Sequence, residues 1–207
     1  MYSLPPQTLV HAKLAKTSIY SVLTLTAHQR RTIDEDVSRV DIVAQFSPST
    51  LPALKPGKTI DMVSVVRLTL KRDHCADETL RLLSRIPQMM VFALSFAGKV
   101  SFALSFASHI FRTQQTASDE AVLCLEGTSV DTLWLSLVAQ VAALERGSRE
   151  SLVAQIQRRE QLARLTSQRD RTEAKMWQER QSHRRNELYD RLQELNRQID
   201  ELSISLL

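Results

Sequence analysis

The chain has 207 residues, of which 43% are apolar, and its 27 basic and 23 acidic residues give a formal net charge of +4. This length predicts one globular domain of ordinary size with an extension, and the even mixture of charges along the chain does not form the concentrated basic footprint of a nucleic-acid-binding surface. The longest apolar stretch, residues 89–97, is far shorter than the ~20 residues of a membrane helix, and the absence of a signal-peptide pattern predicts a cytoplasmic protein.

Two strands and a short helix are predicted in the first half of the chain. Apolar and polar residues alternate from Val37 to Phe46, and the β-branched run from Thr59 to Leu70 indicates a longer second strand. The spacing of Leu80, Leu82, Leu83 and Ile86 after Asp77-Glu78 predicts a short helix, which Pro87 ends.

A repeated hexapeptide predicts a hairpin. The sequence Phe-Ala-Leu-Ser-Phe-Ala occurs at residues 92–97 and again at 102–107, with Gly98-Lys99 as the turn. If paired residue numbers have an even sum, all the large side chains share one face of the hairpin. If the sum is odd, large and small residues mix on both faces, which would indicate a sheet covered on two sides. The sequence leaves both registers open.

One more strand and a well-patterned helix precede the extension. The strand is predicted at Ala121–Leu125, and residues 128–131 resemble a capping box. The apolar face of the following helix consists of Val130, Leu133, Trp134, Leu137, Val138 and Val141, so Trp134 is expected in the core. Gly147 is expected to end that helix and Ser148 to cap the next. We therefore divide the chain into a globular domain, residues 1–147, and an arm, residues 148–207.

The arm has the pattern of a coiled coil. It contains neither glycine nor proline, and it closes on a heptad seam: Leu188, Leu192, Leu195, Ile199, Leu202 and Leu206. The apolar positions of its first half do not continue this register, and residues 178–186 are wholly polar. The arm is therefore either one long helix with a stutter or a helical hairpin. The lack of a turn residue favours the single helix.

No catalytic signature is visible. The four glycines are too dispersed for a phosphate-binding loop, and no cysteine or histidine spacing matches a metal site, so we expect no cofactor and no metal. The nearest approach to a metal-dependent nuclease is Asp61 followed by Thr69-Leu70-Lys71, where Thr69 replaces the second carboxylate. We expect a non-enzymatic protein.

Basic residues give a second hypothesis. Lys13 and Lys16 lie near the amino end, and the arm carries two arginine pairs, Arg158-Arg159 and Arg184-Arg185. Guanidinium groups bind phosphate oxygens bidentately, so these pairs could contact nucleic acid. Nearby glutamates favour the alternative of solvated salt bridges on a coiled coil.

Several short segments resemble the bacterial domain-of-unknown-function family 4391. They are Leu4-Pro5, the opening from Lys13 to Lys16, Phe96-Ala-Gly98-Lys99, Leu125-Glu-Gly127, Gln178 to Gln181, and Asn186-Glu187-Leu188 through Leu195-Asn196. The chain departs from the family pattern at Leu14-Ala15-Lys16, where Ile-Pro-Lys is usual, and at Ile42, near which an aromatic residue is usual. The resemblance implies a place beside helicases and DNA methyltransferases in restriction-type antiphage loci.

Together these features predict an α+β fold, with a mainly antiparallel sheet packed with helices and a long C-terminal coiled-coil helix. The predicted function is that of a non-enzymatic adaptor in a bacterial antiphage complex. Its seam would bind a helicase, another ATPase, a methyltransferase or a second copy of the chain. The alternative is a nucleic-acid-binding or degenerate nuclease subunit of the same kind of system, in which DNA contact is possible but indirect.

Overall fold

A computed structural model describes residues 1–145 and 150–204, with the side chain of residue 204 excluded. The chain forms two compact units, Met1–Gly147 and Ser148–Leu207. The predicted helix stop at Gly147, the predicted cap at Ser148 and the last seam residue, Leu206, lie outside the described residues.

The described part of the first unit contains seven strands and four α-helices. In chain order they are β1 (Leu9–Leu14), α1 (Lys16–Leu23), α2 (Ala27–Asp36), β2 (Val37–Phe46), β3 (Val63–Leu70), α3 (Asp77–Leu83), β4 (Met89–Phe96), β5 (Lys99–Phe106), β6 (His109–Arg112), β7 (Thr116–Ala117) and α4 (Val130–Ala142). The second unit contains α5 (Leu152–Gln178) and α6 (Ser182–Ile204).

All seven strands belong to one mixed sheet. Its order is β1-β2-β3-β4-β5-β6, and β7 pairs with β5 beside β6. Every pairing is antiparallel except β3 with β4. Two parallel neighbours need a crossover connection, and α3 supplies it between β3 and β4. The predicted fold class is confirmed: a mostly antiparallel sheet with helices, followed by long C-terminal helical structure.

Both faces of the sheet are covered along its central strands. Residues 63–66 of β3 and 90–94 of β4 are buried consecutively, which requires cover on both sides. Side chains of α1, α2 and α3 form one core with the even-numbered residues of β3 and β4, such as Leu68 and Phe92. Helix α4 contacts β5 and β6.

The repeat forms a hairpin in the odd register. Phe92 pairs with Ala103 and Ala93 with Phe102, so large and small residues alternate on both faces. The turn is Ala97-Gly98 rather than Gly98-Lys99, because Lys99 already pairs with Phe96. Both turn residues have positive φ, as a two-residue turn of type I′ requires.

Other boundaries differ locally from the sequence patterns. Strand β2 has the predicted bounds, whereas β3 begins at Val63 rather than Thr59. The backbone amides of Thr59 and Ile60 donate instead to the Asp131 carboxylate. The strand predicted at residues 121–125 does not form. In that segment the amide of Leu123 donates to the Tyr2 carbonyl, and the amide of Cys124 donates to the side-chain oxygen of Gln140 at 3.2 Å.

Helix α4 has the predicted start and apolar face, but it ends at Ala142, before Gly147, and the N-cap of α5 is Ser151 rather than Ser148. Ser129 and Thr132 form a reciprocal capping box at its start. All six residues of the predicted apolar face, Trp134 included, are buried.

The arm is a pair of helices rather than the single helix that the sequence favoured. Helix α5 ends at Gln178, and Glu179 adopts an extended conformation with φ −76° and ψ 126°. The amide of Gln181 donates to the Glu179 carboxylate at 2.9 Å, which ties the connection together. Helices α5 and α6 contact each other. Because only three residues join them, α6 must return along α5 as a helical hairpin. The wholly polar stretch thus contains the turn.

Candidate functional site

The seam of α6 lies in the helical hairpin. Among its described residues Leu195 is buried, whereas Leu188, Leu192, Ile199 and Leu202 are only half-buried. Helix α5 has its own half-buried positions, and four of them are polar: Arg158, Thr166, Arg169 and Thr172. The intramolecular contact between the helices therefore covers the leucine seam incompletely.

The four arginines proposed to contact nucleic acid differ in their surroundings. Arg158 pairs with Glu150 at 2.7 Å, and its side chain is only 15% exposed. Arg159 is engaged in an interaction as well. Arg184 and Arg185 are exposed on the first turn of α6. Arg159, Arg184 and Arg185 are therefore all exposed, whereas Arg158 is largely enclosed.

The residues proposed for a nuclease site do not meet. Asp61 precedes β3 and Lys71 follows it, so the eight-residue strand separates them. At ~3.3 Å per residue this places the two residues roughly 30 Å apart. A single reacting group could not contact both side chains.

The strand register gathers a different set of polar residues, which we call the sheet patch. Lys13 of β1 lies opposite Asp41 of β2, and Asp41 lies opposite Arg67 of β3. One row further along, Arg39 lies opposite Thr69, and Thr69 lies opposite Ser95. Directly opposed residues point to the same side of a sheet. The sheet patch therefore consists of Lys13, Arg39, Asp41, Arg67, Thr69 and Ser95.

Asp41 holds the centre of the sheet patch. Its carboxylate accepts from Nε of Arg39 at 2.7 Å and from Nη2 of Arg67 at 3.1 Å. The Asp41 side chain is 4% exposed, whereas those of Arg39 and Arg67 are 53% and 28% exposed. The ring of Tyr2 packs edge-on against Phe102 in the same region, and burial raises the pKa of Tyr2 against the opposing effect of Arg67. The patch is thus a buried anion bridging two accessible cations.

Comparison with known proteins adds one finding. A family model described as a domain of unknown function, DUF4391, matches residues 3–199. The chain belongs to the DUF4391 family. No curated protein and no solved structure matches it. The DUF4391 region includes the sheet patch and the seam as far as Ile199.

The chemistry of the sheet patch in this DUF4391 chain differs from that of a metal-dependent nuclease. Asp41 is the carboxylate that faces β3, but an arginine stands opposite it where such an enzyme would need a second acid. Two guanidinium groups already neutralise Asp41. Among the described residues, no group of three or more His, Cys, Asp or Glu side chains could hold a metal ion. The arrangement is suited to binding an anion.

A second polar cluster in the DUF4391 chain joins α1, α2 and β2. Lys16 donates to Asp34 at 2.8 Å and also to the Val37 carbonyl, and the Tyr20 hydroxyl donates to Asp34 at 2.7 Å. Burial alone would raise the pKa of Asp34, but the bonds from Lys16 and Tyr20 outweigh it and hold that pKa below its ordinary value. The Lys16 predicted as a basic feature thus ties α1 to α2 and to the start of β2.

A third polar cluster is centred on a fully buried carboxylate. Asp36 pairs with Arg72 and accepts from the Ala76 amide at 2.8 Å and the Thr79 hydroxyl at 2.6 Å. Burial opposes ionisation, yet these hydrogen bonds keep the pKa of Asp36 below its ordinary value. Burial, and after it the charge of Asp36, raises the pKa of the neighbouring Cys75 to about 12, so this thiol is a poor nucleophile. Every Asp36 contact joins structural elements, so we assign the cluster to stability.

No described helix has both the length and the apolar character of a membrane-crossing segment.

Proposed function

We propose that this chain is a non-enzymatic adaptor or accessory subunit that binds a protein partner through its α5–α6 arm. The partner would contribute a helix to the seam formed by Leu188, Leu192, Leu195, Ile199 and Leu202. It would be a helicase, another ATPase or a DNA methyltransferase from the same locus, or a second copy of the chain. The setting would be a cytoplasmic antiphage complex of the restriction type, an expectation that comes from the family resemblance alone.

The observation that carries the proposal is the incomplete burial of the seam. Four of its five described residues remain half-buried although α5 already contacts α6. Removing apolar surface from water is favourable by about 25 cal/mol per Å². A further helix against the seam would gain this free energy, and the charged residues beside the seam would select the partner.

Two exposed aromatic residues add to this support. Trp177, at the end of α5, is 76% exposed, and Tyr189 of α6 is 51% exposed. Tryptophan and tyrosine are enriched among the residues that dominate binding energy at protein interfaces. Their exposure on the arm agrees with a surface that is covered in an assembly.

A pull-down from cells that carry the native locus tests the proposal. The bait would be the tagged full chain, either with the natural sequence or with Ile199→Glu, which places a charge in the half-buried seam. We expect the natural chain to retrieve a helicase, ATPase or methyltransferase of the locus, or an untagged second copy, and Ile199→Glu to lose it. A buried unpaired carboxylate is costly, so the loss should be nearly complete.

Gln193→Glu is the matched control, because Gln193 is exposed on α6 and the substitution adds the same charge there. Circular dichroism would show whether each variant keeps its helical content. Unchanged retrieval by a folded Ile199→Glu variant would contradict the proposal. Equal losses in both variants would contradict it too, because they would assign the effect to charge rather than to the seam.

A further inference from the structure

We propose that the sheet patch binds a phosphate monoester, such as the terminal phosphate of a nucleic-acid strand or of a nucleotide. All residues of this site belong to the first unit, and its existence does not depend on the adaptor proposal. Its cations are Lys13, Arg39 and Arg67, which the register of three neighbouring strands brings to one side of the sheet.

The two guanidinium groups have hydrogen-bond donors to spare. Asp41 uses only Nε of Arg39 and Nη2 of Arg67. Nε of Arg67 is buried without any partner in the described part of the chain. Arginine presents five N–H donors in a rigid fork that matches phosphate oxygens. Asp41 therefore orients both guanidinium groups. The enclosed Nε of Arg67 is not open to a ligand, so the donors left for one are the Nη atoms of Arg39 and Nη1 of Arg67.

The charge of the sheet patch favours a doubly charged anion. Three cations and one carboxylate leave a net charge of +2 among the ionisable residues of the patch. A phosphate monoester carries about −1.5 to −2 at pH 7, whereas a carboxylate or a phosphodiester carries only about −1. The patch thus balances the monoester more closely than it balances either alternative.

The neighbouring residues can add hydrogen bonds to the ligand. Ala93, which lies opposite Arg67 on β4, is fully buried, so the accessible part of the patch is the row of Arg39, Thr69 and Ser95. Thr69 and Ser95 contribute hydroxyl groups in the adjacent row, and both residues are partly exposed. A hydroxyl can donate to a phosphate oxygen.

Fluorescence anisotropy with the full chain tests this site. The probes would be two labelled single-stranded oligonucleotides that differ only in a 5′-phosphate or a 5′-hydroxyl. We expect the phosphorylated strand to bind about tenfold more tightly, as a set of charge-assisted hydrogen bonds would give. Arg39→Gln should remove that preference. Arg67 still pairs with the buried Asp41 in this variant, and circular dichroism with thermal unfolding would check that the variant is folded.

Arg31→Gln is the matched control, since Arg31 is an exposed arginine on α2, a helix that packs on the other side of the sheet. It should keep the full preference for the 5′-phosphate. Competition then identifies the source of the phosphate. Displacement by a 5′-mononucleotide at concentrations similar to those of the oligonucleotide indicates a small ligand, and displacement only by phosphorylated strands indicates a nucleic-acid end. Equal affinity for the two probes, or equal effects of Arg39→Gln and Arg31→Gln, would overturn the proposal.

Discussion

Phe92 lies directly opposite Ala103 across the β4–β5 pair, and both side chains are almost fully buried, at 1% and 0% exposure. The large residue of one repeat copy is thus matched by a small residue of the other. This relationship lets a duplicated hexapeptide fill two cores, one on each side of the sheet. It also explains why neither face of the hairpin is wholly aromatic.

Exchanging the two side chains tests this matching. Phe92→Ala should lower the free energy of unfolding by about 3–5 kcal/mol because it leaves a cavity. Ala103→Phe should lower it by about 1–3 kcal/mol because the site is already filled. The double variant should recover part of the loss, since the two positions are in contact range. Urea denaturation measures the free energy of unfolding of the two single variants and of the double variant. Met89→Ala, at an exposed position of β4, is the control. Strictly additive losses would contradict the account.

The hairpin turn gives a second prediction, which isolates backbone conformation from packing. Gly98 has φ +79°, and a Cβ built there meets no atom within 4 Å. Gly98→Ala should therefore destabilise the fold by about 1–2 kcal/mol through conformational strain alone. Ala107, at φ +47° in the next turn, provides the opposite test, and Ala107→Gly should stabilise by about 0.5–1 kcal/mol. Thermal unfolding measures the Tm of both variants. Changes in Tm of the same sign for Gly98→Ala and Ala107→Gly would be inconsistent with this explanation.

Acid sensitivity is the third prediction. The pKa of Asp36 is lowered in the folded chain, so its stabilisation is fully present above the unfolded pKa of about 3.9 and is lost as the pH falls through the folded value. Asp34 contributes in the same direction. The free energy of unfolding should accordingly decline below about pH 4.

Asp36→Asn should reduce stability at pH 7 by about 2–4 kcal/mol, because the buried acceptor of Arg72, Ala76 and Thr79 loses its charge. The variant should also show a weaker dependence on pH below 4. Glu35→Gln, at the exposed neighbouring position, is the control. Chemical denaturation across pH 2.5–7 would record both effects, and parallel pH curves for Asp36→Asn and the natural chain would argue against the assignment.

Local patterns predicted the elements that carry strong periodicity. Strand β2 alternates clearly, and α4 has a six-residue apolar face behind a capping box. Helix α2 escaped prediction because its sequence is almost entirely polar, and Ile33 is its only buried apolar residue. Its one local signal was the capping box formed by Thr26 and Gln29. The polar clusters at Asp34 and Asp36, both on α2, were missed for the same reason.

The sheet patch could not be predicted from spacing. Its six residues come from four strands, and a shift of one residue in any pairing would send them to opposite faces. Register depends on bulges and on the cover of each face, which are tertiary properties. The turn of the arm was missed for a different reason, because Glu179 breaks the helix without a glycine or a proline.

The mass of the assembled protein tests the central claim most directly. The tagged full chain would be purified from cells carrying the native locus, and its molar mass would be measured by light scattering. The account predicts a mass well above the 23.5 kDa of one chain for the natural sequence and for Gln193→Glu, and 23.5 kDa for Ile199→Glu. A mass of 23.5 kDa for the natural chain, or an undiminished complex with Ile199→Glu, would contradict it.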